Sequence, residues 1–172
     1  MLIERPDSTE YAPLFAAYIA LVPDGDVLSL LSAQVEETAA LLAGMTETQA
    51  RYRYAPGKWS VKDVVGHIAD AERVFVYRAL RFARNDKTPL AGFDENVFAA
   101  AASFDARPLA GIIEELRLVR RATMSLYRSF TPEMIARRGV SNEKELTVRA
   151  LIYITAGHER HHVKELKEKY LK

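Results

Sequence analysis

The chain has 172 residues, close to the ~150 of one ordinary domain, so a single domain spanning 1–172 is expected. Its 24 basic and 23 acidic residues leave a formal charge of +1, no global signal for nucleic acid or an anionic membrane. Hydrophobic residues at 49% and charged ones at 27% exclude a disordered or fibrous chain.

Thr9 to Leu21 reads as a short helix interrupted at Pro13, and Pro23-Asp24-Gly25-Asp26 as a turn. Val27, Leu30, Leu31, Val35, Thr38, Leu41, Leu42 and Met45 then recur at three- and four-residue steps, one face of a first long helix. A second helix starts at Ser60, an N-cap with Asp63 at capping-box spacing, and stops near Asn85. A third covers 108–130, and Thr131-Pro132 opens a short extra turn. A fourth follows Thr147 and runs to Tyr170. No period-two run is long enough to predict a strand. The segment Met1 to Pro6 lacks the basic-then-apolar order of a secretory leader, and no run approaches the roughly 18 apolar residues of a membrane span. A cytoplasmic location is expected.

Residues 85–107 can extend to ~75 Å, about twice the ~37 Å of the second helix. A connection that long crosses the bundle, so the second and third helices run parallel and the second and fourth antiparallel. The expected fold class is all-α, a four-helix bundle of up-down-down-up topology. Within the crossover, residues 88–104 serve either to cover a site mouth or simply as a connecting loop.

Three of the four histidines, His158, His161 and His162, fall within five residues. On a helical wheel His158 and His162 lie ~40° apart on the apolar stripe, and His161 lies ~60° to the other side of His158, off that stripe. His67 flanks the stripe of the second helix. It lies ~10 Å from that helix's start, and His162 and His158 lie ~12 and ~18 Å from the other helix's end. Those heights coincide in antiparallel helices. A lone histidine on an apolar face is more often a hydrogen-bonded core residue, but an i,i+4 pair with a third at matching height favours a metal. His67, His158 and His162 are therefore the candidate ligands of a divalent transition metal, zinc or nickel first, with iron or manganese as alternatives. Asp63, Asp70 and Glu165 are candidates to orient these imidazoles from behind. Each has an ordinary reading as a capping or surface carboxylate, and for Asp63 that reading is preferred.

His158-Glu159-Arg160-His161-His162 also fits H-E-x-x-H, in which the glutamate is the general base of a zinc protease. The third histidine of the extended motif is missing, and no edge strand is predicted to hold a peptide. Glu159 is kept only as a secondary general-base candidate. The arginines Arg73, Arg78, Arg81, Arg84, Arg117, Arg120 and Arg121 are balanced by Asp70, Glu72, Glu114 and Glu115. They read as a solvated, salt-bridged face rather than a nucleic-acid surface, with an anion-binding rim as the intermediate reading.

The stretch Tyr54–Glu72, with Trp59-Ser60 ahead of His67, the stretches Arg78–Asn85 and Gly92–Asn96, and Ala156–His162 with its His-x-x-x-His spacing resemble the DinB-like (damage-inducible, YfiT-like) superfamily of metalloenzymes. The resemblance runs from Glu10 to Leu171. It implies a bundle, often a homodimer, that holds a divalent metal through His67, His158 and His162 with open coordination positions. Members of known activity are thiol-dependent, bacillithiol S-transferases and a mycothiol-dependent isomerase, and others are proposed hydrolases. The expected function is metal-dependent transfer of a low-molecular-weight thiol to a small electrophile, or hydrolysis of a small substrate. With no cysteine in the chain, disulfides and cysteine-ligated zinc are excluded and any thiolate comes from outside. The alternative is a non-catalytic, stress-related bundle that only binds a metal or ligand. No nucleic-acid or membrane partner is expected.

Overall fold

Helix starts fall where capping chemistry places them. The computed structural model describes residues 2–171, so Met1 and Lys172 of the expected domain lie outside the described residues. In chain order the elements are α1 (Ala16–Ala20), α2 (Val27–Leu41), α3 (Glu47–Ala50), α4 (Val61–Ala83) and α5 (Glu95–Ala102). α6 (Leu109–Arg128), α7 (Pro132–Ala136), β1 (Arg138–Ser141), β2 (Lys144–Thr147) and α8 (Val148–Glu165) follow. Ser60 Oγ accepts from the Asp63 N–H at 3.0 Å and Asp63 Oδ2 accepts from the Ser60 N–H at 2.9 Å, the reciprocal box that opens α4. Thr147 caps α8 through the Ala150 N–H at 3.0 Å.

Four expectations need correction. The first long helix ends at Leu41 rather than Met45, because Gly44 turns the chain at φ 78°. Pro13 does not interrupt a helix. It opens a single 3₁₀ turn, Pro13–Phe15, that leads into α1. The crossover is not plain loop, since Asp94 caps α5 inside it. Finally, β1 and β2 form an antiparallel hairpin where no strand was predicted. Its strands are only four residues long, and its turn residues Asn142 and Glu143 both take positive φ, 49° and 60°. Leu90 pairs alongside, donating to Val140 O and accepting from the Asn142 N–H, each at 2.9 Å.

Contacts at several levels fix the helix directions. Trp59 ahead of α4 meets Tyr170 beyond α8, His67 meets His162, and Phe75 further along α4 meets the earlier His158 of α8, so the two are antiparallel. Ser60 at the start of α4 meets Asp105 ahead of α6, and Arg84 at its end meets Phe130 beyond α6, so α4 and α6 are parallel. Glu36 pairs with Arg117 and Ser32 with Arg128, which sets α2 antiparallel to α6. Helices α2, α4, α6 and α8 thus run up, down, down, up. None of the described helices is long and apolar enough to cross a membrane.

The apolar core is two clusters. One gathers Leu31, Phe75, Phe82, Tyr127 and Leu151, and the other gathers Val35, Val65, Ile68, Ile112 and Leu166. At the level between them each long helix contributes buried polar side chains: Gln34 and Thr38, His67 and Glu72, Arg120, and His158, Glu159 and His162. That polar layer holds the site.

Candidate metal centre

The heights of His67 and His158 match because α4 and α8 are antiparallel. Nε2 of His67 lies 3.0 Å from Nε2 of His158, and Nε2 of His162 lies 3.1 Å from the same atom. All three residues are buried and their nitrogens form one tight cluster. Hydrogen bonding alone does not account for it. A neutral imidazole Nε2 either donates one proton or offers one lone pair, so His158 Nε2 satisfies only one of its two neighbours. Two nitrogens bonded to one cation at about 2.0–2.1 Å easily span separations of this size. The donor set fits a divalent transition metal.

Electrostatics point the same way. Burial pushes His67 down to about 4 and His162 to about 2, and drives His158 well below the ordinary imidazole range. Aromatic rings enforce the desolvation. Trp59 stands 4.7 Å from the His67 ring, and Phe75 and Tyr18 stand 5.4 and 5.5 Å from His158. All three ligand candidates are therefore neutral at pH 7, with lone pairs available and no proton to displace.

Tyr18 reaches this position through Gly157. A Cβ on Gly157 would lie 2.0 Å from the Tyr18 carbonyl oxygen, so only glycine lets α1 approach α8 beside His158. The histidines form the floor of an open cavity of about 370 Å³. Its walls come from Phe15, Tyr18, Trp59 and Phe75, and from Arg78, Phe93, Glu95 and Asn142. The crossover and the hairpin turn thus supply part of the mouth.

The predicted neighbours separate clearly. Glu165 Oε2 stands 3.4 Å from Nδ1 of His162, although that nitrogen has no properly aligned hydrogen bond. The same carboxylate lies 3.6 Å from His161 and is held by Lys169 at 2.6 Å. Asp63 is committed to the α4 cap and to Arg53 at 2.6 Å, and Asp70 pairs with Arg73 at 3.1 Å. Neither has a histidine partner. His161 sits outside the cluster of three, half-buried against Tyr18.

Glu159 and two supposed surface residues need correction. Glu159 is 1% exposed and faces away from the histidines. It accepts from Thr38 Oγ1 and from Arg120 Nη2, each at 2.7 Å, and from Gln34. Arg120 also pairs bidentately with Glu72 at 2.9 and 2.8 Å, so Arg120 and Glu72 lie in the core and not on a solvated face. Sequence reasoning also missed Tyr18, Phe93 and Asn142 as cavity residues. The Gly157 close to His158 was the available signal for Tyr18.

Comparison with known proteins decides the family. The DinB superfamily model matches residues 30–166, most of the chain. The chain belongs to the DinB superfamily. A protein of Oceanobacillus iheyensis, named "Putative metal-dependent hydrolase", is 28% identical over 116 residues, 66% of this chain and 66% of the relative. The chain thus spans just under two thirds of that relative. One of Geobacillus thermodenitrificans with the same description is 29% identical over 132 residues, 74% of this chain and 72% of the relative. Among solved structures, YfiT from Bacillus subtilis, described as "a probable metal-dependent hydrolase with an unusual four-helix bundle topology", superposes with a TM-score of 0.71. It is 20% identical, with 96% of this chain and 90% of that one covered. A mycothiol-dependent maleylpyruvate isomerase superposes with a TM-score of 0.67 at 10% identity, covering 84% of this chain and 61% of that one. At these identities the two structures bear on fold alone.

Proposed function

We propose that His67, His158 and His162 hold a divalent transition metal, zinc or nickel before iron or manganese, and that this DinB protein is a metal-dependent enzyme acting on a small molecule. One observation carries the reading: three neutral imidazole nitrogens converge at the floor of an open cavity. A structural zinc site is closed by four protein ligands, whereas a catalytic one keeps a position free. The cation supplies Lewis acidity for a thiol or water nucleophile. The chain's own residues do the rest. Trp59, Tyr18 and Phe75 wall the reacting end off from bulk water, and Glu165 stands 3.4 Å behind Nδ1 of His162, the nearest carboxylate that could orient it.

The finer reading is transfer of a low-molecular-weight thiol to a small electrophile, supported by the resemblance to thiol-dependent members of the superfamily; with no cysteine in the chain, the thiolate would come from outside. Hydrolysis is the second reading, favoured by the names of the two curated relatives. A non-catalytic binding protein is the rival class. The test is elemental analysis of protein purified without a histidine tag, followed by turnover assays with thiol and electrophile pairs and with ester or amide substrates. Bound metal that is lost in His162→Ala, with turnover lost in parallel, supports the reading. Retention of the metal in His162→Ala overturns the ligand assignment, and bound metal without turnover in either assay favours the binding protein. The family resemblance also supports a homodimer. A monomeric mass by light scattering at micromolar concentration overturns that.

A further inference from the structure

Of the arginines along α4, Arg78 alone combines burial with a place on the cavity wall. It is only 5% exposed. Arg73 pairs with Asp70 and Glu115, Arg81 pairs with Asp86, and Arg84 is exposed. Arg78 has no carboxylate within ion-pair distance among the described residues. Its one hydrogen bond goes to the carbonyl of Ala91 at 3.3 Å, and Phe93 lies 5.8 Å from its guanidinium carbon. A guanidinium stays charged in proteins, so this is a buried cation without a counter-ion. Burial at such a cost is ordinarily offset by pairing.

Position adds direction. Arg78 follows His67 by eleven residues, which returns to the same helix face about 16 Å along the axis. Helical side chains lean toward the N-terminus, so the guanidinium reaches back toward the histidines. Glu95, Asn142 and His161 face the same cavity, and Glu95 is an exposed carboxylate at the mouth.

We infer that Arg78 is the anion-binding residue of this cavity, and that the substrate or cosubstrate carries a carboxylate which Arg78 grips while its reacting end lies over the three histidines. Arginine's planar fork matches a carboxylate bidentately. The inference rests on the proposed metal reading only for which end of the ligand reacts. The anion contact itself needs no metal.

The test uses succinate as probe, with neutral succinamide as its control and inorganic phosphate as a second oxyanion. Binding is followed by calorimetry and by the ligand-dependent rise in melting temperature, in metal-free and metal-loaded protein. Metal-free wild type is expected to bind succinate saturably, less tightly as salt is raised, and succinamide not at all. Arg78→Gln should weaken succinate by tenfold or more, Arg78→Lys by an intermediate factor, and Glu95→Gln should not weaken it. A purely structural Arg78 predicts a lower melting temperature for Arg78→Gln with an unchanged succinate-dependent shift. That result overturns the inference, as does the absence of saturable binding by wild type or equal binding of succinamide. If Arg78→Gln does not fold, the Lys variant and the salt dependence decide. Tighter phosphate than succinate, still dependent on Arg78, keeps the anion site and overturns the carboxylate. If the protein takes up no metal on titration, the metal reading fails, while succinate binding that needs Arg78 leaves this one standing.

Discussion

His158 and Glu159 are sequence neighbours on α8, both buried, and they enter opposite halves of the same polar layer. On the Glu159 side the chemistry is closed. Arg120 lies between the carboxylates of Glu72 and Glu159, Thr38 and Gln34 donate to Glu159, and Arg120 also donates to the Leu31 carbonyl. On the His158 side it is open. Three nitrogens face one another with nothing of the protein between them, Nδ1 of His162 has no aligned partner, and Arg78 lacks an anion. Buried polar groups are costly unless satisfied. Apart from the Gln34 Oε1 atom, which has no partner, the closed half is satisfied by the fold itself, and it ties α2, α4, α6 and α8 at one level. The open half is arranged for something that arrives later.

The sharpest way to break this contrast is Arg120→Met. It leaves two carboxylates facing each other without a cation, and removing one partner of a buried ionic cluster costs about 3–5 kcal/mol. Urea denaturation at pH 7 measures it. Replacing Glu72, Arg120 and Glu159 together by apolar residues of similar volume should recover most of that loss. If the single variant unfolds no more easily than wild type, the closed half does not carry the bundle.

The open half has its own signature, in pH. Sign matters here: the folded pKa values of His67 and His162, about 4 and about 2, lie below the unfolded value. Between pH 6.5 and 4 the unfolded chain binds more protons, so stability is complete above 6.5 and falls on acidification. For His67 alone the loss across that window is about 3 kcal/mol. Denaturation of metal-free protein at several pH values, with His67→Gln as the reference, isolates it. Parallel curves for the two proteins would mean that His67 is not desolvated.

The contrast also explains what the sequence made legible. Helix starts were readable because Ser60 with Asp63, and Thr147, are caps whose donors are local. The histidine trio was readable because spacing on α8 and depth on α4 are both counts along a helix. The crossover length set the topology. By contrast, Glu72, Arg78 and Arg120 read as surface residues and Glu159 as a general-base candidate, since periodicity assigns charge outward and their burial depends on partners from other elements of the fold. The hairpin escaped because four-residue strands carry too little alternation and its turn has no glycine.

Gly157→Ala probes how the two halves are kept in register. The added methyl would meet backbone at the Tyr18 carbonyl, so α1 must shift, at about 1–3 kcal/mol for overpacking. Because Tyr18 touches His158 and His161, the shift should also weaken metal binding. Melting temperature and metal titration read the two effects separately. Loss of stability with unchanged metal affinity would show that Tyr18 is packing only.

The smallest effects belong to the pair His161 and Glu165, and they sharpen the boundary of the open half. His161 stands outside the cluster of three, half-buried, and its nearest carboxylate is Glu165 at 3.6 Å. Removing it deletes a weak pair that is worth less than about 1 kcal/mol in stability. His161→Ala should therefore leave both metal content and melting temperature nearly unchanged. Glu165→Gln should act differently, because the same carboxylate is the nearest acceptor to Nδ1 of His162, at 3.4 Å. A carboxylate behind a ligating imidazole raises its basicity, and losing one typically costs about 10–100-fold in affinity. The low end is expected here, since Glu165 is shared with Lys169 at 2.6 Å. Competition with a chromogenic chelator gives both numbers. A larger loss in His161→Ala than in Glu165→Gln would move the site toward His161, His162 and Glu165, the other cluster in which ligand atoms gather.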